Sequence, residues 1–150
     1  MCLITTLINL NKIFISSDHA GFKLKQSIVK YLSNNNMNYQ DLGPKSNKKV
    51  DYPIYAHKLA KKVKTSKKNV GILVCGSGTG MCITANKHKN IRAAQCFNIK
   101  STKLSRLHND ANIITLGSRL ISKKNALKYV RIFLSTKFEG GRHLRRVKKI

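Results

Sequence analysis

Apolar runs and amphipathic segments alternate along this chain. Five short apolar runs, each bounded by turn-forming residues, predict buried strands over residues 12–16, 37–42, 70–74, 91–94 and 112–116. The segments between them predict helices that begin near residues 21, 51, 79, 99 and 120, because apolar residues recur there at helical spacing. Strands that alternate with helices in this way are typical of an α/β protein with a parallel sheet.

Three of the predicted helices have a clear inward face. These faces consist of Leu24, Ile28, Tyr31 and Leu32; of Ala56, Leu59, Ala60 and Val63; and of Leu120, Leu127, Val130 and Leu134. Asp51 is the expected N-cap of the second helix, with Pro53 in its first turn. Right-handed crossovers would place such helices on both faces of the sheet.

The length of 150 residues indicates one domain, and no linker or internal repeat divides it. Residues 1–11 precede the first predicted strand and are interpreted as an N-terminal extension, which has neither a basic start nor a small-residue cleavage site. Residues 140–150 form a basic C-terminal segment. No apolar run is long enough to cross a membrane.

The strongest chemical feature is the glycine-rich stretch after the third predicted strand, residues 75–80. Alternating glycines before a helix let backbone N–H groups approach an anion closely. A Gly-x-Gly-x-x-Gly dinucleotide motif would need glycine where Met81 stands, and no Gly-Lys-Ser/Thr follows, which excludes a P-loop. A compact anion-binding loop is therefore favoured over a nucleotide site, with a purely structural turn as the alternative.

Cys75 opens this loop, where the start of a helix favours a reactive thiolate. A buried structural cysteine is the alternative interpretation, and it is the one we give to Cys2, Cys82 and Cys96. The four cysteines form no C-x-x-C pair and do not resemble a disulfide framework or a zinc site. This usage predicts a reduced, cytoplasmic protein.

Two further polar groups flank predicted strands. Asp18 and His19 follow the first strand, where Asp18 could cap the next helix or bind a ligand. His108 differs from His57, His88 and His143, which we interpret as exposed or dipole-complementing residues, because His108 leads into a polar turn before a buried strand.

The two glycines at positions 140 and 141 predict a turn that places Arg142 and Arg146 on one helix face, where guanidinium groups suit a phosphate monoester.

The net charge of +25 raises the possibility of a nucleic-acid-binding protein. Lysine outnumbers arginine 23 to 7, however, whereas proteins that recognise nucleic-acid bases and phosphates favour arginine. Lys, Ile and Asn, which have A/T-rich codons, together supply 52 residues, so codon composition explains the charge without a nucleic-acid partner. The basic field would still attract a small anionic substrate.

Taken together, these motifs resemble the type B ribose-5-phosphate isomerases, which are related to allose-6-phosphate and galactose-6-phosphate isomerases. The resemblance is carried, in family order, by residues 17–25, 51–53, 75–80, 85–87, 91–93, 105–110, 116–119 and 138–143. It implies a single-domain, three-layer Rossmann-like fold with a five-stranded parallel sheet and helices on both faces. It also implies interconversion of ribose 5-phosphate and ribulose 5-phosphate in the pentose phosphate pathway, without metal or organic cofactor. A six-carbon sugar phosphate is the alternative substrate.

The resemblance also implies a role for each site residue. Cys75 would be the base that moves a proton between C1 and C2, His108 would open the sugar ring with help from Asn109, and Ser77 would help to stabilise the enediolate. The remaining expected substrate-binding residues are Asp18, His19, Tyr52, Gly76, Gly78, Thr79, Gly80, Arg119, Arg142 and Arg146. Family members are dimers with shared sites, so the glycine loop would face His108 and the C-terminal arginines of a partner subunit.

Overall fold

The computed structural model describes residues 10–150, in which strands and helices alternate as predicted. In chain order the elements are β1 (Lys12–Ser17), α1 (Phe22–Asn34), β2 (Tyr39–Asp41), α2 (Tyr52–Val63), β3 (Asn69–Cys75), α3 (Thr79–Ala85), β4 (Ala93–Gln95), α4 (Ile99–Asn109), β5 (Ile113–Gly117), α5 (Lys123–Ser135) and α6 (Gly141–Val147). Nine of the eleven residues assigned to an N-terminal extension lie outside the described residues.

The five strands form one sheet in the order β2-β1-β3-β5-β4, and every pairing is parallel. Each strand points alternate side chains to opposite faces, so the sheet contributes to two apolar cores. In β1, Ile13 and Ile15 face the core under α1 and α5, whereas Phe14 faces the core under α2 and α3. The predicted three-layer α/β architecture with a five-stranded parallel sheet is confirmed.

Most predicted helix faces are correct, and one residue is wrong. The apolar set on α2 is completely buried, and Leu24, Ile28 and Leu32 on α1 are buried as well. Leu120 was expected to point inward, but its side chain is 62% exposed. The reason is that α5 begins only at Lys123, after a turn in which the Leu120 N–H donates to the Gly117 carbonyl at 3.0 Å. Apolar periodicity cannot place a helix start that a preceding turn delays.

The helix caps differ in how they satisfy backbone groups. Ser122 and Asn98 accept hydrogen bonds from backbone N–H groups at the starts of α5 and α4. Asp51 stands at the N-cap of α2, as predicted, but its side chain makes no capping hydrogen bond. The predicted turn before the C-terminal arginines is present, because Gly140 and Gly141 have φ values of +70° and +52°, which favour glycine. That turn directs the chain into α6.

A buried lysine ties α1 to the edge of the sheet. The Lys25 side chain is fully buried, and its Nζ lies 2.6 Å from Asp41 Oδ2 at the end of β2. The same ammonium donates to the Pro44 carbonyl at 2.8 Å. A charge removed from water needs such partners, since its desolvation costs several kcal/mol. Periodicity could not reveal this contact, because it marks lysine as a solvent-facing residue.

None of the helices in residues 10–150 combines the length and the apolar character that crossing a bilayer requires.

Removing the carboxylate that pairs with the buried Lys25 should destabilise the fold. Asp41→Ala leaves the Lys25 ammonium without its carboxylate, so we expect the free energy of unfolding to fall by about 3 kcal/mol. Urea denaturation followed by circular dichroism measures this change. Asp51→Ala is the matched control, because Asp51 is exposed and its side chain makes no capping bond. An equal, small effect of both substitutions would contradict the assignment.

Candidate active site

Three loops meet where neighbouring strands end. Because β1, β3 and β5 are adjacent and parallel, their carboxyl ends bring residues 18–21, 75–80 and 117–119 to one edge of the sheet. The backbone N–H of Asp18 donates to the Val74 carbonyl at 3.1 Å, and that of Ser118 donates to the Cys75 carbonyl at 2.8 Å. The Ser118 hydroxyl donates to the Ala20 carbonyl at 2.9 Å, which joins the first and third loops. The predicted grouping at this edge is present.

Two glycines make this close packing possible. A Cβ on Gly117 would lie 2.5 Å from the Ser77 carbonyl oxygen, and one on Gly21 would overlap the Val74 carbonyl group. Backbone atoms cannot move aside as the end of a flexible side chain can. Glycine is therefore required at both positions for the three loops to meet.

Cys75 lies at the base of the glycine loop. Its side chain is buried, and its Sγ accepts a hydrogen bond from the Gly78 N–H at 3.1 Å. Gly78 has a φ of +81°, which turns the loop back over the sulfur. The Ser77 hydroxyl accepts from the Thr79 N–H at 3.3 Å and remains on the exposed side of the loop. A thiol held by a backbone donor fits a reactive position better than a packing role.

The other cysteines described differ from Cys75. Burial raises the pKa of the Cys82 thiol, and a still more buried position raises that of Cys96. Both sulfurs lie near backbone carbonyl oxygens, Cys82 at 3.4 Å from Ala93 and Cys96 at 3.6 Å from Ala94. These surroundings favour the protonated thiol, which agrees with the structural roles expected for them. Cys2 lies outside the described residues.

Gln95 was not identified from the sequence, yet it supports the glycine loop. Its Nε2 donates to the Ser77 carbonyl at 2.8 Å, and its Oε1 accepts from the Thr79 hydroxyl at 3.2 Å. Gln95 ends β4, which lies beyond β5 in the sheet. A single glutamine after a short strand carries no local signal, because its role depends on the order of the strands.

Two larger side chains lie over the glycines of the loop. The Arg119 guanidinium lies about 3.1–3.3 Å from the position that a Cβ atom on Gly76 would take. The Tyr52 ring lies 2.7–2.8 Å from the position that a Cβ atom on Gly80 would take. Tyr52 is 40% exposed, so its hydroxyl end is accessible. The structure therefore brings both predicted residues to the loop that contains Cys75.

Asp18 and His19 complete this first group. The Asp18 carboxylate accepts from the Gly21 N–H at 2.8 Å, in the turn that leads into α1. Gly21, not Asp18, is the N-cap residue of that helix. His19 is half-buried, and its Nδ1 lies 3.3 Å from the Val50 carbonyl oxygen. Asp18 thus shapes the turn through one carboxylate oxygen.

A second group forms around the end of α4 and the start of α6. The rings of His108 and His143 are stacked, with centroids 4.2 Å apart and planes 9° apart. Glu139 faces both, with its Oε2 3.7 Å from His108 Nε2 and 3.9 Å from His143 Nε2. Arg142 and Arg146 lie exposed on α6.

The expectation that His143 is exposed or complements a helix dipole is wrong. The residue is buried, and it lies near the N-terminus of its helix, whereas a cation is favoured at the C-terminus. His143 is 5% exposed and belongs to the first turn of α6. Burial lowers its pKa, as do the nearby charges of His108, Arg142 and Arg146, whereas Glu139 raises it. The chain from Glu139 to His143 passes through two glycines with positive φ, so the helical i,i+4 rule does not apply and no local spacing identifies His143.

The two groups do not meet within one chain. Helix α4 starts after β4, at the carboxyl edge of the sheet, and its 11 residues span about 16 Å toward the opposite edge. At that opposite edge the Asn109 carbonyl accepts from Nε of Arg92, which directly precedes β4. His108 and Asn109 therefore lie at the amino edge, whereas Cys75 lies at the carboxyl edge.

The second group also holds three potential metal ligands. One atom each of His108, Glu139 and His143 lies within 4.8 Å of the others. The two rings are parallel, so their in-plane lone pairs do not converge on one ion. Arg142 and Arg146 add positive charge around His143. This geometry suits an anion beside the arginines better than a cation between the histidines.

Together, these features define an α/β protein whose sheet edge presents a thiol, a glycine loop and basic side chains, as a small anionic substrate requires. The sequence model of the Ribose/Galactose Isomerase family matches residues 13–150. The chain belongs to the ribose/galactose isomerase family, which confirms the resemblance found in its motifs.

Individual relatives agree along nearly the whole chain. Ribose-5-phosphate isomerase B of Escherichia coli K12 is 41% identical over 141 residues, 94% of this chain and 95% of the relative. The structure of ribose 5-phosphate isomerase B from Anaplasma phagocytophilum matches with a TM-score of 0.91 and 43% identity, over 96% of this chain and 98% of that one. The Mycoplasma genitalium enzyme, solved with bound ribulose-5-phosphate, matches with a TM-score of 0.89 and 44% identity, over 92% of each chain.

The support that Gln95 gives to the loop should be measurable. Gln95→Leu removes both hydrogen bonds while keeping similar volume, so we expect isomerase turnover to fall roughly 10- to 100-fold through misplacement of the loop. Steady-state kinetics and amide exchange of residues 77–79 measure the two effects. The control Gln26→Leu changes an exposed glutamine on α1 and should alter neither. Unchanged turnover in Gln95→Leu would show that the loop keeps its position without Gln95.

Proposed function

We propose that this protein interconverts ribose 5-phosphate and ribulose 5-phosphate through an enediolate. The chain belongs to a sugar isomerase family, and a relative 44% identical was solved with ribulose-5-phosphate bound. The observation that carries the proposal is the position of Cys75, whose sulfur is held by the Gly78 N–H at the base of an exposed glycine loop. A dinucleotide site would need glycine in place of Met81, and a P-loop would need a Gly-Lys-Ser/Thr sequence, which this loop lacks.

Cys75 is proposed to act as the base. As a thiolate it takes the proton from C2 of the open-chain aldose, which gives the enediolate. The hydroxyl proton moves from O2 to O1, and the thiol returns its proton to C1, which forms the ketose and restores the thiolate. The negative charge on the enediolate oxygens is stabilised by N–H groups of residues 76–80 and by the Ser77 hydroxyl. Such a donor typically contributes about 10²–10³ in rate.

Substrate recognition divides between the two groups of residues. At the carboxyl edge, Asp18 and Tyr52 orient sugar hydroxyls, and Thr79 borders the reacting carbons. Four basic residues bind the phosphate: His19, Arg119, Arg142 and Arg146. Guanidinium groups suit this task because they donate two parallel hydrogen bonds to phosphate oxygens.

We further propose that the active site is shared between two copies of the chain. His108 and Asn109 open the sugar ring, yet in one chain they lie about a helix length from Cys75. A twofold homodimer would bring the second group of one protomer to the glycine loop of its partner. The exposure of Arg142 and Arg146 supports this arrangement, because both side chains are available outside their own protomer.

The thiol should be essential and added metal should not be. We expect turnover of ribose 5-phosphate to persist in excess EDTA and to fall about 10³-fold or more in Cys75→Ala, since general bases contribute up to about 10⁴. A coupled assay for ribulose 5-phosphate measures both. Cys82→Ala, which changes the half-buried thiol of α3, is the control and should stay active. Full activity of Cys75→Ala would refute the assignment of the base, and activity only on six-carbon sugar phosphates would replace the substrate.

Sharing of the site can be tested by mixing two inactive variants. Cys75→Ala and His108→Ala are each expected to be inactive, but co-expression should restore about a quarter of wild-type activity, because half of the dimers then carry one intact site of two. Kinetics on the purified mixture, with mass spectrometry of the dimer composition, measures this. Activity that never recovers, despite mixed dimers, would place both residues in one chain's own site.

A further inference from the structure

We propose that Glu139 and His143 are positioning residues for His108, with the carboxylate holding the imidazolium and the buried ring fixing the plane of the imidazole. This inference rests on the proposed function, since it concerns the ring-opening step assigned to His108. Three features of the second group carry it: the stacking of the rings, the placement of the carboxylate and the positive charge around them.

The stacking restricts His108. Its side chain is 37% exposed, so solvent alone would leave the ring free to rotate. The ring of His143 is buried in α6 and lies parallel to it at 4.2 Å between centroids. Packing around a buried ring restricts its rotamers, and stacking on that ring favours a parallel orientation of the exposed one. His143 thus acts as a fixed surface against which His108 is held.

The burial of His143 is not explained by hydrogen bonds. Its Nε2 is buried and has no hydrogen-bond partner among the described residues. Leaving such an atom unsatisfied destabilises the fold, and an apolar residue in this position would avoid that cost. Glu139 Oε2 lies 3.9 Å from this nitrogen, just beyond hydrogen-bond distance. Hydrogen bonds of this kind commonly shorten when substrate binds.

Glu139 offsets an unfavourable field. Arg142 and Arg146 repel a second positive charge, and they lower the pKa of His143 together with His108 and burial. His108 stacks against this ring, so an imidazolium that forms on His108 benefits from a nearby negative charge. Glu139 supplies it at 3.7 Å from His108 Nε2. It is held there by its own backbone, because the Glu139 N–H donates to the Leu107 carbonyl at 3.0 Å.

The step that these residues support is balanced within the site. The C1 hydroxyl of the furanose gives its proton to His108 as the bond between C1 and the ring oxygen breaks. The electron pair of that bond goes to the ring oxygen, and the imidazolium returns the proton to it. The result is the open-chain aldehyde and neutral His108, so no proton is gained or lost overall.

Rates measured with ribose 5-phosphate and with ribulose 5-phosphate distinguish the ring-opening step from the proton transfer between carbons. Ribose 5-phosphate is mostly a closed furanose, whereas ribulose 5-phosphate has its C5 hydroxyl esterified and cannot close the corresponding ring. Exchange of the C1 protons of ribulose 5-phosphate with deuterated solvent therefore reports the enediolate chemistry alone. Turnover of ribose 5-phosphate reports ring opening as well. His108→Ala should reduce the second rate and spare the first, which sets the reference pattern.

Glu139→Gln is the primary test, because Glu139 is exposed and the substitution keeps its shape. We expect kcat with ribose 5-phosphate to fall about tenfold or more, while deuterium exchange into ribulose 5-phosphate stays within about twofold of wild type. Arg145→Ala, an exposed change on α6, is the control and should affect neither rate. Equal losses in both rates, or no loss in either, would overturn the proposal.

His143 is tested by a pair of variants. His143→Phe keeps a ring for stacking and His143→Ala removes it, so the phenylalanine variant should retain more ribose 5-phosphate turnover than the alanine variant. Thermal melts identify any variant that does not fold, and then Glu139→Gln alone decides. If the alanine variant folds and matches the phenylalanine variant, the stacking role is wrong. Wild-type protein that is inactive in both assays would instead contradict the proposed function itself.

Discussion

Close contact between backbone segments at the carboxyl edge of the sheet is the constraint on which the site depends. The loops after β1, β3 and β5 lie very close together. A Cβ atom on Gly21 would overlap the Val74 carbonyl group, and a Cβ atom on Gly117 would overlap the backbone of Ser77. Hydrogen bonds between the loops need this proximity, and so does the turn that places the Gly78 N–H on the Cys75 sulfur. A rigid parallel sheet supplies the fixed spacing of the strands, to which the loops conform.

The large excess of basic over acidic residues is the second constraint on this structure. A chain with 30 basic and 5 acidic residues can attract anions anywhere on its surface, so the few carboxylates acquire specific tasks. Asp41 neutralises the buried Lys25, Asp110 pairs with Arg92 and Arg106, and Glu139 faces the histidine pair. Asp18 shapes a turn beside the thiol. Four of the five carboxylates are therefore engaged where an uncompensated positive charge, or a strained turn, would be costly.

Local patterns predicted the fold well because the periods of strands and helices differ. Runs such as residues 70–74 and faces such as Ala56 to Val63 specify both the element and the side that is buried, since burial follows from repeated contact with one neighbour. Boundaries were less predictable. Leu120 fits the apolar period of α5 but lies in the preceding turn, and hydrogen bonds to Gly117 decide that, not hydrophobicity.

The sequence by itself determined the α/β class, the family and the residues that carry chemical groups, because thiols, glycine turns and basic clusters have local signals. Only the tertiary structure decided how those residues are distributed. It placed Cys75 and His108 at opposite edges of the sheet, brought Gln95 under the glycine loop, and buried His143 against His108. Strand order and the direction of a helix relative to the sheet determine these placements. Neither can be read from the spacing of residues along the chain.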